Sequence, residues 1–499
     1  MPKQRQAMMP AMCRRPSSEN IFDDMIRNFF YWCVVLGLAS CATAPGDRDS
    51  AQAETVNATD TSDALIHPGW SERAVIYEMN VRQHTPQGDL NSAMADLPRI
   101  KELGIDIVWL MPVHPIGEVN RKGGENKNNF LVQPGSSSMG SPYSVQDYKA
   151  LNPDYGTWAD FDAFVARAHD LEMRVIIDWV ANHTAFDAVW TRDSTGLGYY
   201  LLDDAGQIQP PTGTDWVDVA QLDWERGEEN GLYDAMEDAM AFWVRDHDID
   251  GFRCDVAMKV PTSFWNRVRK TLEVFEPEVF MLAEAEQPDH HDRAFDASYA
   301  WEFHHITNEV AKGHMSADSV RAYLEREFER FPPSAYRMTF ITNHDENSWN
   351  GTVAERYGDA GRAMAVMCGT LFGMPLVYGG QESRMDKRLR FFEKDTVPWG
   401  DYRDMSFYRI IHDLHHRHPP MFNGASGARP VQLTTEGDML YFERASQGTS
   451  VRTVINLSDR EQEFTPDGLE GYRTTFDRTS MKRKTWGPWS FEVFVKMDA

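Results

Sequence analysis

Cysteine is scarce: there are 5 in 499 residues, and only Cys254 and Cys368 lie beyond position 41. Two thiols inside apolar stretches cannot build a disulfide framework, so each reads as a small buried hydrophobe and the fold must rely on its own core. Basic residues are outnumbered, 50 against 76 acidic, for a formal charge of −26. An acidic surface of that size repels phosphate backbones and anionic headgroups, which argues against nucleic acid as a partner. The acidic excess, with Arg favoured over Lys, fits either a salt-adapted surface or a codon bias. Membrane-spanning runs are lacking too, since the apolar run Phe29–Leu38 is too short to cross a bilayer. What remains is ordinary for a globular chain, 42% hydrophobic and 25% charged, with 12% aromatic residues available for packing or for stacking on sugar rings.

Arg27 precedes the apolar run and small residues follow it, the pattern of an export signal. The tetrad Leu38-Ala39-Ser40-Cys41 resembles the bacterial lipoprotein box. That resemblance implies cleavage before Cys41 and lipid on its thiol, each buried CH₂ adding roughly 0.8 kcal/mol to membrane binding. A plain secretory signal is the alternative, and residues 1–24 are long for a polar lead segment, which makes Met25 an alternative start. The expected product is an exported, membrane-anchored lipoprotein of the periplasm or cell surface. Residues 1–40 would form the signal, and 41–66, rich in Ala, Thr, Ser and Asp, a flexible tether.

From Ala74 short apolar runs alternate with amphipathic helical stretches, the pattern of repeated βα units. Strands are expected at 74–81, 105–113, 174–180, 250–256, 279–285, 337–344 and 374–380, with a weaker one near 297–303. Eight would close a (β/α)8 TIM barrel over 67–420. Thr157 and Asp160 have capping-box spacing ahead of Trp158, Phe161, Phe164, Val165, Ala168 and Leu171, which recur at helical intervals. Two insertions interrupt the pattern: Arg121–Pro142, expected as a mobile loop, and an excursion at 184–221. After Met421 short alternating strands predict a C-terminal antiparallel β-sandwich over 421–499. The histidines at 412–418 read as a solvated helix face and not as a zinc site.

In parallel barrels the C-terminal strand ends form the active face. Four such ends are polar: Asp178-Trp179-Val180-Ala181-Asn182-His183, Gly251-Phe252-Arg253-Cys254-Asp255, Leu282-Ala283-Glu284 and Thr342-Asn343-His344-Asp345. Carboxylates, imidazoles and a guanidinium at strand ends are the inventory for cleaving a glycoside through two carboxylates. Strand alternation points Arg253 and Asp255 to one face, where the guanidinium should hold Asp255 ionised while neighbouring negative charge raises the pKa of Glu284.

These segments, in this order, resemble the four signature regions of the α-amylase family of glycoside hydrolases, and the likeness extends over roughly 70–499. It implies Asp255 as nucleophile, Glu284 as general acid and then base, and Asp345 as the carboxylate that binds and distorts the reacting sugar, with retained anomeric configuration; Glu286, on the same face by alternation, is the rival to Glu284, whose Ala283-Glu284-Ala285 frame matches the family better. Arg253, His183 and His344 would contact that sugar, Tyr143 would stack on its ring, and Asp178 would support the site from beneath. Asn182 and Asp223 are the two positions that carry over as ligands of a structural calcium, the alternative being that Asn182 only hydrogen-bonds the excursion to the barrel, and no cofactor would be needed for the chemistry. The implied substrate is starch, a maltodextrin or a related α-glucan. Met258 and Lys259 stand where endo-acting α-amylases usually carry Lys-His, which leaves hydrolysis, transfer and endo or exo action open. A non-catalytic glucan-binding lipoprotein is a further alternative, against which the intact Asp255, Glu284 and Asp345 speak.

Overall fold

The computed structural model describes residues 65–497, apart from 134 and 478–479, and the described residues form one compact unit. The expected signal, nearly all of the tether and Cys41 lie outside the described residues. Among those described, no helix is long and apolar enough to cross a membrane.

Eight parallel strands close on themselves: β1 (Ile76–Met79), β2 (Ile107–Leu110), β3 (Arg174–Val180), β4 (Gly251–Asp255), β5 (Phe280–Ala283), β6 (Ala297–Tyr299), β7 (Tyr336–Thr339) and β8 (Met374–Tyr378), which returns to β1. Several are shorter than their apolar runs. Val81 already opens a helical turn, and β7 stops at Thr339, so Asn343, His344 and Asp345 sit in the loop beyond it.

The period of two along each strand sorts side chains into two environments. Outward residues such as Tyr77, Ile177, Phe252 and Cys254 join the core beneath the helices, while Ile76, Ile107, Trp109, Ile176, Phe280 and Leu282 fill the barrel interior. One layer higher the inward positions turn polar: Glu78, Asp178 and Arg253, all fully buried. The register sets Glu78 beside Trp109 and Asp178 beside Arg253. An apolar plug thus supports a charged layer just below the barrel mouth.

Gly251 makes that closure possible. Its φ of +151° is poorly tolerated by other residues, and a Cβ there would lie 1.9 Å from the Phe280 carbonyl oxygen on β5. Gly251→Ala must push β4 and β5 apart directly beneath Arg253, and a loss of about 2–3 kcal/mol in denaturant-unfolding free energy is expected.

Among the outer helices, α1 (Trp158–Asp170) carries the expected capping box, with the Thr157 hydroxyl on the Asp160 N–H and the Asp160 carboxylate on the Thr157 N–H. It buries Phe161, Phe164, Val165 and Ala168. A later helix, α2 (Met405–Arg417), corrects the expectation of solvated histidines. His412 and His415 are buried, bonded to the carbonyl oxygens of Leu103 and Gly369. Burial holds them at about 4 and about 3, so both are neutral. Backbone acceptors let an apolar helix face absorb two imidazoles, and composition alone does not reveal such acceptors.

The insertion after β2 is also corrected. Instead of an irregular loop, residues 122–125 and 128–131 form an antiparallel hairpin. In the excursion, His183–Thr184 pair with Ala220–Gln221 and pin its two ends together.

Beyond the barrel, strands β9 (Val431–Thr434), β10 (Met439–Ser446), β11 (Thr449–Asn456), β12 (Arg473–Thr474) and β13 (Phe491–Met497) form an antiparallel sheet in the order β9-β10-β11-β13-β12, beside a two-stranded pair at 462–463 and 485–486. Alternation again divides its faces. Leu440, Phe442, Val451, Ile455 and Val493 join the barrel's core, whereas Met439, Tyr441, Val454 and Phe494 pack with Phe464 and Trp486. The sandwich therefore has unequal layers, with the larger sheet turned to the barrel.

Candidate active site

Arg253 organises the barrel mouth. Its Nη1 lies 2.8 Å from Asp178 Oδ1 and 3.1 Å from Asp255 Oδ1, and its Nη2 lies 2.8 Å from Glu284 Oε2. Nε donates to the Tyr299 hydroxyl at 3.2 Å. Arg253 was expected to contact the sugar, but it is fully buried, with Nη1 and Nε hydrogen-bonded to protein groups and Nη2 in ion-pair contact with Glu284. Two positions before the strand end it points inward one layer too low to reach a ligand, and acts as the floor that gathers the carboxylates.

Asp178 is equally buried and accepts from Trp109 Nε1 at 3.2 Å and the Tyr143 hydroxyl at 2.9 Å besides Arg253. Asp255 and Glu284, by contrast, keep about a tenth of their side-chain surface open. The residue between them in the circuit is strained: Val256, β-branched, has φ +37° and ψ 46°. Such a conformation costs of order 1–3 kcal/mol and persists only where surroundings enforce it. Here it aims the Val256 N–H at Glu284 Oε2, 2.8 Å away.

Glu78, Asp178, Asp255, Glu284 and Asp345 share this small volume with two cationic side chains, Arg253 and His344. Burial raises the pKa of both Asp255 and Glu284; Arg253 opposes the rise, and the surrounding carboxylates reinforce it. The pair therefore holds a proton to higher pH than carboxylates in water, and that proton belongs to the pair.

The two histidines are set to opposite states. His183 is held neutral at about 3 by burial, and Asn182 Nδ2 lies 3.1 Å from its Nδ1. An amide N–H donating there fixes the tautomer with the proton on Nε2. Burial would also lower His344, but the charges of Asp345 and Glu78 outweigh it and push it up to about 9. Its Nδ1 is 2.5 Å from Glu78 Oε1, its Nε2 is 2.8 Å from the Tyr143 hydroxyl, and Asp345 Oδ2 lies 3.4 Å from Nε2. Trp349 Nε1 donates to Asp345 Oδ1 at 3.2 Å. Tyr143 is nearly buried; its ring runs parallel to His344 at 5.4 Å and to Phe391 at 6.1 Å. Trp216, from the excursion, sits 5.6 Å from the His183 ring.

Glu78, Val256, Trp216, Trp349 and Phe391 escaped the sequence reading. Glu78 left a usable signal, an acid at an inward position of the otherwise apolar Ile76-Tyr77-Glu78-Met79. Its loss has a signed consequence. With a folded value near 9 against about 6.5 in an unfolded chain, the His344 imidazolium contributes stability fully below about pH 6.5, and that contribution is lost as pH rises through 9. Glu78→Gln is expected to lower the melting temperature more at pH 6.5 than at pH 10, where the wild type retains a buried carboxylate without its cation. Equal deficits at both pH values would contradict the assignment.

The expected calcium ligands do not fit a cation. Gln221 Nε2 donates to the Asn182 carbonyl at 3.1 Å, Asn182 Oδ1 at 3.2 Å and the Leu222 carbonyl at 2.9 Å. An amide N–H₂ thus occupies the point where these three oxygens converge. Asp223 Oδ1 instead accepts from the Arg226 N–H at 3.3 Å. Among the described residues no group of three His, Cys, Asp or Glu side chains is arranged to hold a metal.

A closed parallel barrel with carboxylates clustered over an arginine at the C-terminal strand ends is the arrangement in which chemistry on glycosidic bonds is sought. The family model "Alpha amylase, catalytic domain" matches residues 48–420, so the chain belongs to the α-amylase family. It is 27% identical to "Alpha-amylase MalA" of Haloarcula japonica over 81% of this chain and 58% of that protein. It is 25% identical to an α-1,4-glucan:maltose-1-phosphate maltosyltransferase of Salinibacter ruber, over 81% of this chain and 62% of that one. The chain thus spans less than two thirds of the length of these relatives. Among solved structures it resembles an α-amylase from Lactobacillus plantarum (27% identity, TM-score 0.72, 86% of this chain and 100% of that one). It also resembles a noncanonic maltogenic α-amylase, AmyB, from Thermotoga neapolitana (26% identity, TM-score 0.70, 86% and 97%).

Proposed function

We propose that the chain hydrolyses α-1,4-glucosidic bonds of starch-derived oligosaccharides with retention of configuration. The observation that carries this reading is the single guanidinium that holds Asp255 and Glu284 on neighbouring terminal nitrogens. Carboxylates so placed suit the retaining separation of about 5–5.5 Å better than the inverting one of about 6.5–9.5 Å, which must leave room for a water. Asp255 attacks the anomeric carbon, and the glycosidic bond breaks as Glu284 protonates the departing oxygen. Glu284 then takes a proton from water, which displaces Asp255 from the glycosyl enzyme. Asp345 binds the hydroxyls of the reacting sugar, the His344 imidazolium, whose two N–H groups go to Glu78 and the Tyr143 hydroxyl, positions Tyr143 and Asp345, and neutral His183 offers a donor from Nε2.

Purified protein incubated with maltoheptaose tests this. Shorter oligosaccharides alone, first released as α-anomers by NMR, are expected. Chains longer than seven glucose units would move the assignment to transfer, the activity in the names of the maltosyltransferase relatives, and no products at all would refute an enzymatic role.

Two further readings concern what surrounds the chemistry. Calcium is not required, because Gln221 ties the excursion to the barrel by itself. A cation at 1,000 times its Kd would stabilise the fold by about 4 kcal/mol, so an EDTA-induced fall of several degrees in Tm, reversed by calcium, would refute this. The protein is exported and held on a membrane by lipid on Cys41, the reading that the Leu-Ala-Ser-Cys tetrad supports. Cys41→Ser should then move it from the membrane fraction to the soluble one.

A further inference from the structure

The hairpin at 122–131 is fastened at both ends to other parts of the barrel mouth. On one side Lys122, nearly buried, places Nζ 2.8 Å from the Asp215 carbonyl and 3.3 Å from Asp218 Oδ1, both in the excursion after β3. On the other, its turn residue Asn126 donates to the Ser348 carbonyl at 2.8 Å and the Leu389 carbonyl at 3.2 Å, and accepts from the Phe391 N–H at 2.8 Å. The Gly124 N–H donates to Glu393 Oε1 at 2.8 Å. Ser348 lies three residues beyond Asp345, and Phe391 is the ring parallel to Tyr143. The turn therefore sits against the groups that hold the reacting sugar.

Barrel order gives the strap a direction. It links the loop after β3 with those after β7 and β8, across the β8-β1-β2-β3 half of the mouth. Glu284 follows β5 in the opposite half. The leaving group must lie on the side of its proton donor, so the non-reducing end of the substrate points toward the strap.

We propose that this strap closes the non-reducing end of the cleft and makes the enzyme exo-acting, releasing short saccharides from chain ends. The inference rests on the hydrolytic reading above and adds the direction and position of cleavage. Asn126 is a specificity residue here: its amide clamps the strap to the sugar-binding wall and touches no reacting atom.

The test compares p-nitrophenyl maltoheptaoside with the same compound blocked by a 4,6-O-benzylidene group on its non-reducing glucose. Wild type should cleave the free compound, and the blocked one at least about 100-fold more slowly, because an end that must fit beneath a strap cannot carry an added ring. Replacing residues 124–129 by a two-residue turn, or Asn126 by Ala, should raise the blocked-to-free ratio at least about 10-fold, the cost of one discriminating contact. Folding of each variant is checked by its melting curve. Wild-type rates on the two compounds within about threefold of one another would overturn the proposal whatever the variants do. Cleavage of neither compound would instead refute the hydrolytic reading, and this inference with it.

Discussion

Glu284→Gln should release reducing ends from maltoheptaose about 10⁴-fold more slowly than wild type, the scale expected for loss of an essential proton donor. The substitution is nearly isosteric, and the amide oxygen can still accept from the Val256 N–H, so the fold has no reason to suffer. It should gain instead. Glu284 is one of several buried carboxylates whose mutual repulsion opposes folding once ionised, and its removal relieves that crowding. The expected pair of results is collapsed activity with a melting temperature at pH 8 equal to or above that of wild type. Activity within tenfold of wild type would remove Glu284 from the chemistry.

Arg253→Met is expected to act in the opposite sense on stability. Breaking a buried ion pair by deleting one partner costs about 3–5 kcal/mol, because the other charge is left without compensation. Here three carboxylates lose their shared cation. The pH dependence follows from the direction of their shifts. Asp178, Asp255 and Glu284 are already raised in the folded protein by burial, with Arg253 pulling them down. Without it their folded values rise further above the unfolded ones. Raised carboxyls favour the folded state at pH below their unfolded values, and that contribution is lost as pH climbs through the folded values. Denaturant unfolding should therefore show the variant least impaired near pH 4–5 and most impaired at pH 8. A deficit independent of pH would mean that Arg253 contributes by packing and not by charge.

Most of the polar residues that gather at the barrel mouth were legible in the sequence. Apolar runs ending in Asp, Glu, His or Arg mark the C-terminal strand ends of a parallel barrel, and parity along β4 already placed Arg253 and Asp255 on one face. Parity does not give depth, however. Arg253 lies one layer beneath Asp255, so it serves as floor and not as a sugar contact, and only closure of the barrel sets that height. Asn182 was open between a calcium ligand and a tie to the excursion for a related reason. A ligand set depends on which atoms converge, and the Gln221 amide takes the point of convergence.

The residues around the mouth were the least readable. Arg121–Pro142 has the Gly, Asn and Ser content of a loop with no core to bury, and it orders as a hairpin because Lys122, Gly124 and Asn126 find partners more than 90 residues away in sequence. The buried state of His412 and His415 likewise depends on carbonyl oxygens from distant segments. By itself the sequence determined the strand and helix periods, the two-faced parity of each strand and the identity of the acids, since these follow from local geometry and side-chain chemistry. Tertiary structure alone decided their depth and protonation, because those depend on desolvation and on charges that chain closure brings together.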